Sequence, residues 1–362
     1  MALAAHAEIN GAFMVKSRGA AAVSVLAAVL LLGACTSTGH PGAGPSANHA
    51  QRAQQLTIAQ ARRAFGAFLP RFMRLPVEFS AGEARSLTMG AELQAQLFFK
   101  GGSGPAITQL TDQTFYVPRL TAYPRWFLAA GRQRGDSSPA GHLFVMVQSA
   151  RLAPWKTAMA LYDLGSSAGM LHQLAAAITL DAQGYAEAVP PGDPSLDVPP
   201  SAMSATYASY LDGEASQAVR WLFQAGPNTT GYISLTREIA RGAGRYGWRD
   251  TDHQAAAPPP VYALRLNTGG AIVIFATDET VGWDAESSAA SLPAQPSGPA
   301  ANYVPPAFVV QDLGVTSVKA GMRLSVTAVD RVLAFVQPKG IGFIYPLINN
   351  GAATGVRESN AP

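Results

Sequence analysis

Cysteine content is the feature that most limits how this chain can fold, because Cys35 is the only cysteine among 362 residues. A chain with a single cysteine forms no intramolecular disulfide, so the burial of apolar side chains must stabilise the fold. The composition allows this, since 48% of the residues are hydrophobic. The 35 glycines and 26 prolines indicate frequent turns and loops between the elements of the core.

A secretory signal precedes Cys35. Residues 19–34 form a run of sixteen mainly apolar residues, which is shorter than the roughly 20 residues that a membrane-spanning helix needs. Lys16 and Arg18 come directly before this run, as in the positively charged start of a signal peptide. We therefore predict that residues 1–34 are a signal peptide that is removed from the mature protein.

The first residues do not fit this signal. Residues 1–13 contain Glu8 and neither lysine nor arginine, whereas the start of a signal peptide is positively charged. Met14 is therefore an alternative starting residue of the natural chain.

The signal ends in a sequence that resembles the lipobox of bacterial lipoproteins. Leu32, Gly33 and Ala34 supply an aliphatic residue and two small residues directly before Cys35. The resemblance implies cleavage between Ala34 and Cys35, and lipid, including palmitate, on the cysteine. We predict that Cys35 is the lipidation site and holds the protein on the extracytoplasmic face of the cell membrane. The alternative is an ordinary secretory signal followed by a chance cysteine.

The charge of the chain argues against nucleic acid as a partner. Lys and Arg number 26, Asp and Glu number 23, and no run of basic residues occurs. Proteins that bind nucleic acid concentrate positive charge in a patch or stripe. We therefore predict partners of another kind, namely an envelope protein or a small ligand.

The chain after the signal divides into two parts of similar design, in which helices come before strands. The predicted segments are a lipid-anchored tether at 35–55, a first domain at 56–190, a proline-rich linker at 191–200, a second domain at 201–350 with a flexible insertion at 284–306, and a tail at 351–362. Segregated helices and antiparallel strands predict the α+β class. The order of elements is similar to that of nuclear-transport-factor-2-like and cystatin-like folds.

Local patterns place the elements of each part. Thr57 and Gln60 form a capping-box sequence ahead of an amphipathic helix, which we expect Pro70 to stop or kink. Asn267–Gly270 is typical of a hairpin turn, and the unbroken apolar run 271–275 predicts a central strand buried on both faces. The other predicted helices are 87–99, 204–211 and 230–243, and the predicted strands are 114–120, 125–133, 142–149, 155–164, 176–180, 261–266, 271–277, 322–329 and 332–336.

Four segments carry a family resemblance. Residues 115–119, 123–127, 180–186 and 262–270 resemble an actinobacterial family of envelope lipoproteins with a domain of unknown function. The resemblance implies the same membrane anchoring. It implies no catalytic residue, because the activity of that domain is uncharacterised.

The sharpest catalytic motif is Gly165–Gly169, which has the G-x-S-x-G pattern of a nucleophile elbow centred on Ser167. Such an elbow belongs to a parallel sheet and needs an Asp and a His from separate later segments. The available Asp252 and His253 are adjacent, and hairpin patterns surround the motif. A plain turn is therefore favoured, and an extracytoplasmic serine hydrolase using Ser167 remains the alternative function.

Two further groups of residues are candidates for binding. Asp250, Asp252 and His253 offer ligands for a divalent ion, but no second segment adds ligands, so a solvated loop is favoured and no metal or cofactor is predicted. Aromatic residues on neighbouring strands offer a stacking wall for a sugar or lipid. These residues are Tyr116, Trp126, Trp155 and Tyr162. Core packing is favoured, because period two puts the adjacent Trp126 and Phe127 on opposite faces, so at least one points away from any single pocket. We therefore expect a non-catalytic binding protein with no catalytic residue.

Overall fold

A computed structural model describes residues 55–76, 78–98, 109–133, 141–162, 176–290 and 307–360. The residues from Leu56 onward form one compact unit. Cys35, residues 36–54 of the predicted tether and Ser167 lie outside the described residues. The predicted insertion is described only to residue 290.

Three helices open the described part of the chain: α1 (Ile58–Phe72), α2 (Ala81–Leu87) and α3 (Gly90–Phe98). The predicted capping box is confirmed, because Gln60 N donates to Thr57 Oγ1 over 3.1 Å and Thr57 N donates to Gln60 Oε1 over 2.8 Å. Pro70 does not stop α1, which continues to Phe72. The buried aromatic and aliphatic face of α1 on both sides of Pro70 holds the last turn against the sheet.

Four antiparallel strands form the first sheet in the order β1-β2-β3-β4: β1 (Leu110–Tyr116), β2 (Arg125–Gln133), β3 (Gly141–Gln148) and β4 (Lys156–Tyr162). The predicted strand 176–180 is absent. Ile178 instead forms an isolated bridge with Leu266, and Leu180 forms one with Ala186. These residues pair with two different segments, so no ladder develops.

The second half begins with helices α4 (Met203–Leu211), α5 (Gln217–Leu222) and α6 (Tyr232–Ala243), and a short helix α7 (Ala307–Asp312) follows later in the chain. Its strands are β5 (Trp248–Ala256), β6 (Tyr262–Arg265), β7 (Ala271–Ala285), β8 (Met322–Val336) and β9 (Ile344–Asn360). They pair antiparallel in the order β5-β7-β8-β9, with β6 on the first part of β7. Residues 271–275 are buried, as predicted.

The strands of the second sheet are longer than the sequence indicated. β7 continues to Ala285 and β8 is one strand, while β9 runs past residue 350 to Asn360. The predicted tail at 351–362 is therefore wrong over most of its length. Pairing of β9 with β8 from Ile344 to Asn360 supplies the backbone hydrogen bonds that a glycine- and asparagine-containing strand needs.

The predicted α+β class is confirmed, with helices preceding an antiparallel sheet in each half. One face of the first sheet packs on α1, and its other face packs on the second sheet. Trp126 and Tyr116 face the second sheet, whereas Trp155 and Tyr162 lie in the cluster with α1. The four aromatic residues therefore form no common wall and belong to two parts of the core.

The segment 191–200, predicted to be a linker, packs into the core. Leu196 and Val198 are buried in the apolar cluster beneath α4, since apolar side chains between the prolines still gain from burial. Residues of both halves share the cluster between the sheets. Independent folding of residues 56–190 and 201–350 stays a prediction.

The outer edge of β4 is covered by side chains from both halves. Glu92 of α3 accepts a hydrogen bond from Ala160 N through Oε2 over 3.0 Å. Asn350 of β9 accepts from Tyr162 N over 2.7 Å and donates to Tyr162 O over 3.2 Å. These side chains satisfy backbone groups that an edge strand would otherwise expose.

A buried ion pair joins this edge to the second sheet. Arg331 Nη1 of β8 lies 2.7 Å from Glu92 Oε2, and the two side chains are 1% and 0% exposed. Arg331 Nε also donates to Asn350 O over 3.1 Å. Because charges leave water at a high cost, each member of this pair depends on the other for compensation.

Removing one partner of this pair is expected to destabilise the protein strongly. Glu92→Gln and Arg331→Met should each lower the free energy of unfolding by about 3–5 kcal/mol, because one buried charge loses its counter-charge. The double variant should lose less than the sum of the two single losses. Urea unfolding of the four proteins measures this, with Glu83→Gln in the exposed Arg71–Glu83 pair as a control that changes stability little. Additive losses would contradict the coupling.

Candidate functional site

A cluster of buried acidic and amide side chains lies on the helix-facing side of the second sheet. Asp252 and Gln254 come from β5, Glu279 from β7 and Asp330 from β8. Gln254 lies opposite Glu279 in the ladder. Asp330 lies opposite Thr277, two residues from Glu279. Directly opposed residues and residues two apart share one face of a sheet, so these side chains converge.

Tyr232, at the start of α6, lies at the centre of this carboxyl cluster. Its hydroxyl contacts Asp252 Oδ2 at 2.8 Å and forms a short hydrogen bond with Glu279 Oε1, while Gln254 Nε2 donates to the hydroxyl oxygen over 2.9 Å. A phenol has one proton and can donate to only one carboxylate. A neutral carboxyl group that donates to the hydroxyl oxygen would satisfy the second contact, so the geometry favours retention of a proton in the cluster.

The environment of the carboxyl groups accounts for this proton. Burial raises the pKa of Glu279, although hydrogen bonds from Tyr232, Asp252 and Gln254 oppose the change. Burial and the charges of Glu279 and Asp252 raise the pKa of Asp330 well above its usual range. Neighbouring carboxylates in a poorly solvated site disfavour each other's charged form.

Asp250 is the outermost member of the group. Burial, followed by the charges of Asp252 and Glu279, raises the pKa of Asp250 to about 7. The cluster therefore includes one carboxyl group that exchanges its proton near neutral pH. Such a group can act as an acid or a base, or it can respond to pH.

Several buried oxygens around the cluster have no hydrogen-bond partner among the described residues. They are Asp250 Oδ1, Gln254 Oε1, Thr277 Oγ1, Asp330 Oδ2 and Asn349 Oδ1. Each of these atoms accepts hydrogen bonds. Protons, water or polar groups of a ligand would satisfy these atoms.

Helix α4 fixes the strand that carries Asp250 and Asp252. Asp212, which caps the end of α4, accepts from Gln254 N over 2.6 Å and lies 2.5 Å from His253 Nδ1. Ser204 Oγ donates to Ala276 O over 2.6 Å at the other end of the helix. These bonds hold β5 and β7 against the helix layer.

The prediction of a solvated loop at Asp250, Asp252 and His253 is wrong. These residues lie on β5, where Asp250 and Asp252 face the helices and the imidazole of His253 is exposed. The alternation of Trp248, Asp250, Asp252 and Gln254 is a period-two signal that indicates a strand. The strand was missed because the residues of this pattern that face the helices are mainly acidic rather than apolar.

Sequence reasoning missed Glu279 and Asp330, which supply the second and third segments of the cluster. Both follow or interrupt strongly apolar runs, and a carboxylate in such a run is a signal of a buried polar site. In the described ranges, no three His, Cys, Asp or Glu residues are arranged to hold a metal ion. No helix there is long and apolar enough to cross a membrane.

Comparisons with known proteins give a family but no activity. The sequence profile of the domain of unknown function DUF8094 matches residues 91–304. The chain is 27% identical over 168 residues to an uncharacterized lipoprotein of Streptomyces coelicolor, covering 46% of this chain and 47% of the relative. It is 27% identical over 174 residues to an uncharacterized lipoprotein of Streptomyces avermitilis, covering 47% of each chain. The chain thus spans about half the length of these curated relatives, and no solved structure matches.

The carboxyl cluster predicts a dependence of stability on pH. The pKa of Asp250 rises from 3.8 to about 7 on folding, so the folded state binds its proton more tightly. The resulting stabilisation is complete below pH 4 and is lost as the pH rises towards 7. Asp250→Asn should therefore flatten the fall in the free energy of unfolding between pH 4 and 7, by up to about 1.4 kcal/mol per pH unit. Urea unfolding at four pH values gives the slope of the free energy of unfolding against pH for the wild type and for Asp250→Asn.

Asp181→Asn is the matched control for this experiment. Its hydrogen bond from Arg119 lowers the pKa of Asp181, so the contribution of Asp181 is lost as the pH falls below 4, opposite in sign to that of Asp250. Equal slopes for the wild type and Asp250→Asn would contradict the role assigned to Asp250.

Proposed function

The chain belongs to the DUF8094 family. We propose that it is an exported lipoprotein, held by lipid on Cys35 at the outer face of the cell membrane. In this proposal its folded part binds a ligand or partner there without catalysing a reaction. The observation that carries the proposal is the position of Cys35. The only cysteine follows an apolar signal and two small residues, and the relatives in two Streptomyces species are named lipoproteins.

The carboxyl cluster supports the binding half of the proposal. Its unpaired acceptors include atoms of Gln254, Thr277 and Asp330, three residues that are almost fully buried. Unsatisfied buried acceptors are costly, and a ligand that brings N–H donors and positive charge would satisfy them. A protonated amine has this chemistry.

Replacement of Cys35 tests the proposed membrane anchoring. Cys35→Ala should move the protein from the membrane fraction to an unprocessed or soluble form, because the lipid is its proposed anchor. Fractionation of cells followed by immunoblotting measures the distribution, and mass spectrometry of the wild type measures the lipid. Thr36→Ala, at the next residue, is the matched control and should stay in the membrane fraction. Full membrane retention of Cys35→Ala from which the signal peptide has been removed would overturn the proposed anchor.

Thermal unfolding with spermidine tests binding at the cluster. Spermidine at matched ionic strength should raise the Tm of the wild type, because a ligand that binds the folded state stabilises it. Asp330→Asn should abolish most of this rise, while Asp312→Asn, at the end of α7, should preserve it. An equal rise in all three proteins, or no rise in the wild type, would contradict amine binding at this cluster.

A further inference from the structure

The hairpin between β8 and β9 presents two large apolar side chains to solvent. Ile341 is 56% exposed and Phe343 is 47% exposed. Lys339, also exposed, precedes them in the same turn. The hairpin tip thus combines a cation with exposed apolar side chains. The apolar side chains of the flanking strands, in contrast, are largely buried.

The tip is held in a fixed shape by the segment before α4. Asp197 accepts hydrogen bonds from Gly340 N over 2.8 Å and from Gly342 N over 2.9 Å. Both glycines have positive φ angles, +88° and +80°, which other residues rarely adopt. Lys339 N donates to Ser195 O over 2.7 Å. The exposed side chains therefore stand on a backbone that is ordered before any partner arrives.

A third exposed apolar residue lies on the neighbouring segment. Trp221, near the end of α5, is 76% exposed. Phe223 forms a parallel bridge with Ile344, and Gln224 N donates to Ile344 O over 3.0 Å. The bridge brings the end of α5 beside the hairpin. We call the three exposed residues Trp221, Ile341 and Phe343 the tip patch.

We propose that this tip patch inserts into the lipid bilayer, as a second membrane contact besides the lipid on Cys35. The inference rests on the proposed membrane anchoring. Tryptophan is enriched where proteins meet the membrane interface, and isolated apolar side chains gain from entering the acyl region. Lys339 lies where an anionic headgroup would meet it.

The tether favours the bilayer over other occupants of the tip patch. Twenty residues separate Cys35 from Leu56, and a chain of that length reaches at most about 70 Å. A folded unit of about 300 residues has a radius of gyration of about 19 Å. This maximum reach exceeds the size of the folded unit, so an anchored molecule can bring the tip patch to the bilayer, where a small contact suffices for docking.

The single cysteine allows a test that does not depend on lipidation in the cell. The chain from Cys35 onward, coupled through that thiol to a maleimide-bearing lipid in phosphatidylcholine–phosphatidylglycerol vesicles, reproduces the anchor. Brominated acyl chains quench tryptophan only at close range. We expect wild-type fluorescence to fall in brominated vesicles relative to unbrominated ones, and Trp221→Phe to lose most of that difference. Trp221 is the strongly exposed tryptophan, whereas the other four are half-buried (Trp126, Trp155) or buried (Trp248, Trp283).

Matched variants distinguish insertion of the tip patch into the bilayer from mere closeness of the anchored protein to it. The double variant Ile341→Ser with Phe343→Ser should reduce the quenching at least threefold, whereas Leu152→Ser, at a 94% exposed residue outside the patch, should leave it unchanged. Quenching that is absent in the wild type, or equal in the double variant, would overturn the proposal. A different outcome would assign the patch to self-association instead. In that outcome the uncoupled chain forms dimers, the double variant abolishes them, and bromolipids do not quench the wild type. Failure of lipidation at Cys35 in cells would overturn the proposed lipid anchor. The quenching result in vesicles would still stand, because the anchor there is coupled chemically.

Discussion

The buried pair of Glu92 and Arg331 is the interaction on which the arrangement of the two halves depends. The residues are 239 positions apart, and each is enclosed so completely that neither charge is stable without the other. Glu92 also holds the edge of β4, and Arg331 also holds the backbone at Asn350. One ion pair therefore fixes α3, the first sheet and the second sheet relative to one another, while the apolar cluster between the sheets supplies most of the burial.

The second sheet uses its two faces differently. The face towards the first sheet is mainly apolar, whereas the face towards the helices carries the carboxyl cluster between two apolar clusters. Tyr232 connects that cluster to α6, so the contact of this helix with the sheet depends on the hydrogen bonds of Tyr232 with Asp252 and Glu279. Hydrogen bonding and proton binding thus stabilise a part of the core that apolar packing alone leaves incomplete.

Local signals predicted the elements whose causes are local. The capping box at Thr57, the turn at Asn267–Gly270 and the apolar run 271–275 were all located correctly, since each depends on adjacent residues. The strand β9 and the cluster around Glu279 and Asp330 could not be located in this way. β9 pairs with the adjacent β8, but its proline, glycine and asparagine residues have weak strand propensity on their own. The carboxyl cluster arises where β5, β7 and β8 pair, so no single segment shows it.

The covered edge of β4 has a further consequence for molecules confined to a surface. Lipid anchoring concentrates copies of a protein in two dimensions, where an open strand edge would meet other edges often. On β4 the Ala160 N–H and both backbone groups of Tyr162 already have side-chain partners from α3 and β9. These three groups are closed to a neighbouring chain, which hinders extension of the first sheet from one molecule to the next along this edge.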